Sequence, residues 1–211
     1  MKASIYLSIE FIIIFWILPL LYVMGWLPLP VIPTLLIVTV LCFIVLYRDE
    51  GFNLRRLWRP AALRKVALPL FGFFAMSAIG LALVVWLWER DQFFHLPAHK
   101  PYIYLTLMFF YPVFSVYPQE LVYRAFFFRR YRHIFPSKTM LVWMSALAFG
   151  WMHIVFENVW AVALTLVGGY LFARTYLRTR SLFCVGLEHS LYGCFIFTVG
   201  LGRYFFSGSL G

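Results

Sequence analysis

Long uninterrupted apolar runs, separated by short polar clusters, dominate this chain. The runs cover about residues 1–27, 31–47, 66–88, 102–128, 140–156, 160–173 and 182–199, and most approach the ~20 residues that a bilayer crossing requires. None alternates with period two, so the crossings are predicted as helices and not barrel strands. The expected fold is all-α: a polytopic transmembrane helical bundle of about seven spans, forming one integral membrane domain over residues 1–211. No internal repeat, low-complexity region or second domain is visible. The first run follows Lys2 and superficially suggests a signal peptide. It is too long for that and no small-residue cleavage site follows it, so it is read as an uncleaved span.

Prolines and glycines mark the joints. Gly25 to Pro30 reads as a tight uncharged turn. Pro112 and Pro118 interrupt the fourth run, and Pro118 suits the first turn of a restarted helix. His95 and His99 have the i,i+4 spacing of a metal pair, but Pro97 between them argues for a solvated loop. A short aromatic tail around Tyr204 to Phe206 follows the last run.

Composition agrees with the pattern: 64% of the 211 residues are hydrophobic and 12% are charged, against roughly 45–50% and 25% in soluble domains. The formal charge of +10 does not point to nucleic acid. Its basic residues gather in loops beside apolar runs, at Arg48 to Lys65, Arg129 to Lys138 and Arg174 to Arg180, without aromatic interleaving on a soluble face. With the N-terminus cytoplasmic, 14 of the 18 Lys and Arg residues fall inside and three outside, with Arg124 within the membrane; this is the asymmetry of the positive-inside rule. The first basic loop also carries Phe52, Leu54, Leu57 and Trp58, so part of it could lie as an interfacial helix or hold lipid headgroups. A bacterial inner membrane is expected ahead of the endoplasmic reticulum. Cys42, Cys184 and Cys194 lie within spans and lack ligand spacing, so they are read as small apolar residues.

Few ionisable groups lie inside the spans, and these carry the candidate chemistry. A carboxylate or guanidinium near mid-membrane costs roughly 2.5–3.5 kcal/mol even on the lenient insertion scale, so it normally faces a bundle interior or a wet cavity. Gln119, Glu120 and Arg124 sit together in the fourth run. Glu120 and Arg124 are four apart with the acid first, the favourable order for an ion pair, while Gln119 lies ~100° round the helix. That pair alone could be a structural brace, and Glu10 in the first run could bond a neighbouring helix. His153 and His189 add imidazoles from two further spans. One buried histidine is usually a packing residue, but polar groups from three helices can converge on one cavity. A rise of ~1.5 Å per residue puts Glu120 and His189 at similar depth, ~12 Å from the inner boundary, and His153 further out.

Hydrolysis of a peptide bond in a wet intramembrane pocket suits this set, with a carboxylate as general base and imidazoles orienting water or stabilising the oxyanion. No GxSxG elbow or HExxH is present. Zinc held by His153, His189 and a carboxylate is chemically possible but lacks a spacing signature; no other cofactor is expected.

Three motifs together resemble the CAAX protease and bacteriocin-processing (CPBP, Abi) family of glutamic-type intramembrane endopeptidases. EExxxR is approached by Gln119-Glu120-Leu-Val-Tyr-Arg124, FxxxH by Phe149 and His153, and HxxxN by His189 and Gly193. The motifs span about residues 115–200, within a family-like core of about 102–200. The resemblance implies a first-motif carboxylate and His153 activating water, His189 and an asparagine stabilising the oxyanion, and Arg124 with Glu120 as a brace. It also implies a membrane protein or peptide substrate: a C-terminal sorting tail, a leader peptide or a lipidated C-terminus.

Two positions depart from the pattern. Gln119 stands where the first glutamate is expected, and a carboxamide cannot take a proton from water. Gly193 replaces the asparagine, for which Glu188 or a backbone N–H could compensate. The glutamine fits an engineered inactive form, a natural pseudoenzyme, or a variant with Glu120 as base; the last conflicts with the Glu120–Arg124 pairing, which holds the carboxylate as a structural anion. The rival reading is a non-catalytic peptide-binding, immunity or scaffold protein. A small transporter using Glu10, Glu120 and Glu188 as relay groups is a third reading, weakened by the lack of a repeat. Oligomeric state is not legible.

Overall fold

The computed structural model describes residues 2–205, with side chains from residue 5 onward; Phe206, at the end of the aromatic tail, lies outside the described residues. Helix α1 covers residues 2–23, widened to π geometry at Ile13–Ile17. Helices α2 (Val31–Tyr47), α3 (Ala67–Trp88), α4 (residues 101–130), α5 (Lys138–Met152), α6 (Val159–Thr179) and α7 (Leu182–Val199) follow. Among the described residues there is no strand. Five helices are long and apolar enough to cross a membrane by length and composition; α2 is shorter, and α4 is divided by two π segments, Pro112–Val116 and Leu121–Phe126. The molecule is a multi-pass integral membrane protein.

Local chemistry explains the ends of the last three helices. Ser137, Asn158 and Ser181 each accept a hydrogen bond from backbone N–H groups of the first turn, so α5, α6 and α7 all begin on a side-chain cap. Glu157, Arg180 and Gly200 follow these helices or their extension with φ of 52°, 48° and 101°, the left-handed turn that satisfies terminal carbonyls. At Gly200 an added Cβ would collide with the Gln92 carbonyl, so glycine is required there twice over.

Helix α4 is the axis of the bundle. Residues 120–128 are buried without a break, which a helix achieves only when neighbours cover its whole circumference. Phe11 and Phe15 of α1 pack edge to face on Phe127 and Tyr131. Helices α5 and α6 meet through small residues: a Cβ on Gly169 would lie 3.1 Å from the Phe149 ring and 3.2 Å from Ala146, and one on Gly150 would lie 3.2 Å from the Leu166 backbone. Such close approach is how helices associate where no hydrophobic driving force separates protein from lipid. In contrast α3 buries only Leu70 and Val85 and leaves most of its apolar side chains exposed, as a lipid-facing helix does.

Four expectations change. Helix α4 does not restart at Pro118: residues 101–130 are helical throughout, because π widening shifts bonds from i→i+4 to i→i+5 and accommodates the missing proline N–H. His95–His99 is a helical turn and not a loop, with stacked rings at 4.3 Å; Pro97 falls within the first four residues, where N–H groups have no intrahelical partner. Arg174 and Arg178 lie inside α6, which continues to Thr179, and Arg129 and Arg130 close α4, so these basic loops are shorter than predicted. The long basic segment forms two short 3-10 turns, Leu54–Arg56 and Pro60–Lys65, in place of an interfacial helix.

The basic end is tied by ion pairs. Arg130 donates to both oxygens of Glu10 at 2.9 and 2.7 Å, and Tyr131 adds a hydroxyl at 2.9 Å, which anchors α1 to the foot of α4. Arg129 donates twice to Asp49 beyond α2, at 2.6 and 2.5 Å. At the opposite end Arg203 pairs with Glu89.

Candidate active site

Consecutive residues on α4 separate into two environments. Glu120 is fully buried and turned toward α7; Gln119, one residue earlier, lines a cavity of about 390 Å³ on another face. The same cavity is lined by His153, Gly193, Tyr111, Ser115 and the aromatic rings of Phe110, Phe114, Phe156, Phe197 and Phe205. These residues come from the halves of the helices remote from the basic loops. The cavity therefore reaches toward the end of the bundle opposite the arginine-rich one.

Two polar groups line this space with bonding capacity left over. His153 sits in the 3-10 turn that continues α5, and its Nδ1–H donates to the Phe149 carbonyl at 2.7 Å. That bond fixes the tautomer and leaves the Nε2 lone pair without a partner among the described residues. Gln119 donates through Nε2 to Ser115 Oγ at 2.8 Å, and its Oε1 is buried with no hydrogen-bond partner among the described residues. An orphaned buried acceptor costs roughly 1–3 kcal/mol.

Behind the cavity wall lies a charged chain. Arg124 and Glu120 are both 0% exposed, with Nε 3.2 Å from Oε2, an ion pair without the alignment of a hydrogen bond. The guanidinium also donates to the Tyr123 carbonyl at 3.2 Å, Ser145 Oγ at 3.0 Å and the Gly169 carbonyl at 3.4 Å. It lies over the Phe149 ring at 4.9 Å. The other oxygen of Glu120 accepts from His189 Nδ1 at 2.8 Å, and His189 Nε2 meets the Tyr111 hydroxyl at 3.3 Å. Phe172 stacks on the His189 ring at 4.5 Å, and Phe149 contacts the rings of both histidines. Buried charge in lipid is tolerable only when paired and bonded in this way.

The arrangement thus brings Gln119, His153 and Gly193 to one cavity and places Glu120, Arg124 and His189 in the layer that supports it. Glu188 joins neither. It lines a separate recess of about 160 Å³ with Arg174, Thr175 and Arg178, so it does not compensate for the residue missing at 193. The space beside Gly193 is taken by Tyr111, whose hydroxyl and ring a Cβ at 193 would strike. Tyr111 and Phe172 were not singled out by sequence reasoning. Each reads as one more aromatic among 24 phenylalanines and 13 tyrosines; the glycine at 193 was the one available hint, since a bulky neighbour can occupy a vacated side-chain space.

Among the described residues no group of three or more metal-ligating side chains is gathered. Each imidazole Nδ1 is engaged by a protein acceptor, the Phe149 carbonyl for His153 and Glu120 for His189. Glu10, Glu120 and Glu188 are held by separate partners or recesses and do not form a hydrogen-bonded relay among the described residues.

Comparison with known proteins agrees with the motifs. No curated protein and no solved structure matches the chain. Residues 101–195 match the family described as Rce1-like, type II CAAX prenyl endopeptidase. That interval opens with α4 and closes within α7 just beyond Gly193, so it contains every polar group of the cavity and of the chain behind it. Over this core, a little under half of the chain, the protein is similar to the CAAX prenyl endopeptidase family.

Proposed function

We propose that this chain is an intramembrane endopeptidase in which His153 takes the proton from the attacking water and Gln119 holds that water in place. The observation that carries the reading is the pairing, on one cavity, of an imidazole Nε2 and a carboxamide Oε1 that no group among the described residues bonds. A water donating one O–H to each would satisfy both acceptors. As the oxygen attacks the scissile carbonyl its proton passes to His153 Nε2, and the resulting imidazolium returns it to the leaving amine as the C–N bond breaks. Gln119 never has to accept a proton in this scheme. It fixes the water's orientation, which is a smaller contribution than a carboxylate would make.

His189 and the Arg124–Glu120 pair position the groups around the reacting carbonyl. The substrate is a membrane-associated protein segment, such as a C-terminal sorting tail, a leader peptide or a lipidated C-terminus. The apolar, aromatic cavity walls suit such a segment better than a soluble loop. With the basic loops cytoplasmic and the N-terminus inside, as in a bacterial inner membrane, access is from the outer half of the bilayer.

The test is cleavage of a quenched, prenylated C-terminal peptide and of an unlipidated leader peptide by the chain in nanodiscs. Cleavage is expected from the wild type, with an increase in Gln119→Glu and a 10²–10⁴-fold loss in His153→Ala.

Gln119 also favours a second reading, a non-catalytic membrane protein that holds a peptide in the same cavity. Retained peptide binding with cleavage by neither the wild type nor Gln119→Glu establishes that alternative and removes the enzyme.

A further inference from the structure

Among the described residues, the buried ionic chain reaches the cavity lining through a phenol. Arg124 holds Glu120, Glu120 accepts from His189 Nδ1, and His189 Nε2 meets the Tyr111 hydroxyl, 3.3 Å away. Tyr111 lines the cavity with Gln119 and His153, while Glu120 does not. Its ring is fixed on three sides: edge to face on Phe197 at 5.3 Å, edge to face on His189 at 6.2 Å, and against the bare backbone of Gly193. Any side chain at 193 would strike it, so the glycine and the tyrosine are two halves of one arrangement.

We infer that Tyr111 is a catalytic residue that donates its O–H to the oxyanion formed in the cavity. When a substrate carbonyl enters the cavity, the phenol O–H, whose oxygen lies 3.3 Å from His189 Nε2, turns about its C–O bond. The phenol hydrogen is then directed away from His189 and toward the substrate carbonyl. The hydroxyl lies in a cavity walled largely by aromatic rings, where a fixed donor contributes more than in water. No proton leaves Tyr111 in this step: water gives its proton to His153, and the phenol stabilises the negative oxygen until the C–N bond breaks. Glu120 and Arg124 act through His189 as positioning residues and touch no substrate.

This inference rests on the protease reading, and one set of variants separates the two. Tyr111→Phe keeps the ring, its packing and the Gly193 contact and removes only the hydroxyl. The expected result is a 10²–10³-fold fall in kcat with KM changed less than about threefold, the range for loss of one oxyanion donor, and an unchanged melting temperature. Tyr111→Ala should lose the same activity and regain part of it when Gly193→Asn is added, because the carboxamide then has room and supplies a donor. Gly193→Asn alone should misfold or lose activity, since the ring is still in place.

Cleavage by the wild type that Tyr111→Phe leaves within threefold overturns the role of Tyr111 and leaves the protease intact. Absence of rescue in Tyr111→Ala/Gly193→Asn, in a protein that melts like Tyr111→Ala, overturns the exchange of donors. If neither the wild type nor Gln119→Glu cleaves any of the peptides, the protease reading fails and this inference with it.

Discussion

Arg124 shows what one residue inside a membrane protein must satisfy. Its guanidinium is fully buried and meets a carboxylate, a hydroxyl, two carbonyls and an aromatic face. Truncating it leaves the Glu120 anion with His189 as its remaining partner. Arg124→Ala is expected to lose about 3–5 kcal/mol of stability, the penalty of an uncompensated buried charge, visible as a lower melting temperature in detergent. The double variant Glu120→Gln/Arg124→Met should lose less than the sum of its single changes, because removing both charges removes the desolvation cost with the attraction. Additivity of the two would show that they do not act as a pair. The ion pair itself was legible from i,i+4 spacing. Its connection through His189 to Tyr111 was not, since residues 69 and 78 positions apart in the chain meet only through folding.

At the scale of elements, the α5–α6 contact sets the geometry of the site. Gly169 lets α6 approach Ala146 and Phe149, and its carbonyl also accepts from Arg124. Phe149 in turn holds the His153 tautomer. Gly169→Ala should therefore cost about 1–3 kcal/mol by overpacking and lower cleavage more than stability alone explains. Gly72→Ala and Gly80→Ala on α3 provide the control. Nothing lies within 4 Å of a Cβ at either position, so they should be neutral or gain about 0.5–1 kcal/mol from the helix preference for alanine. Thermal melts and peptide cleavage on the three variants check this, and equal losses would refute the packing argument. Helix positions were readable from the apolar runs, including α2 and α7 to the residue. The π segments of α4 were not, because two prolines are equally consistent with a break and with a widened helix until neighbouring packing selects one.

For the whole molecule, charge divides the bundle into two ends. The Arg129 guanidinium holds the Asp49 carboxyl below the usual carboxylate range. A depressed folded pKa contributes stability that is complete above the ordinary Asp value of ~3.9 and is lost as pH falls through the lowered one. Melting curves should show the wild type losing stability below about pH 4 more steeply than Asp49→Asn, which starts lower at neutral pH and is flatter. Parallel curves would mean that this pair ties nothing. The aromatic-walled cavity lies toward the other end, away from the arginine-rich foot.

Hydropathy, proline and glycine placement and the three short motifs were enough to indicate a helical membrane bundle with a core similar to the CAAX protease family. Each of these is a property of local sequence, and the bilayer leaves few folds in which local apolar runs can be arranged. Only the tertiary structure decided that Gln119 and Glu120, neighbours in the chain, serve different layers, that Glu188 stands apart, and that a tyrosine fills the space beside Gly193. Those outcomes depend on which faces of separate helices come together, and the packing of one helix against another is written in no single stretch of residues.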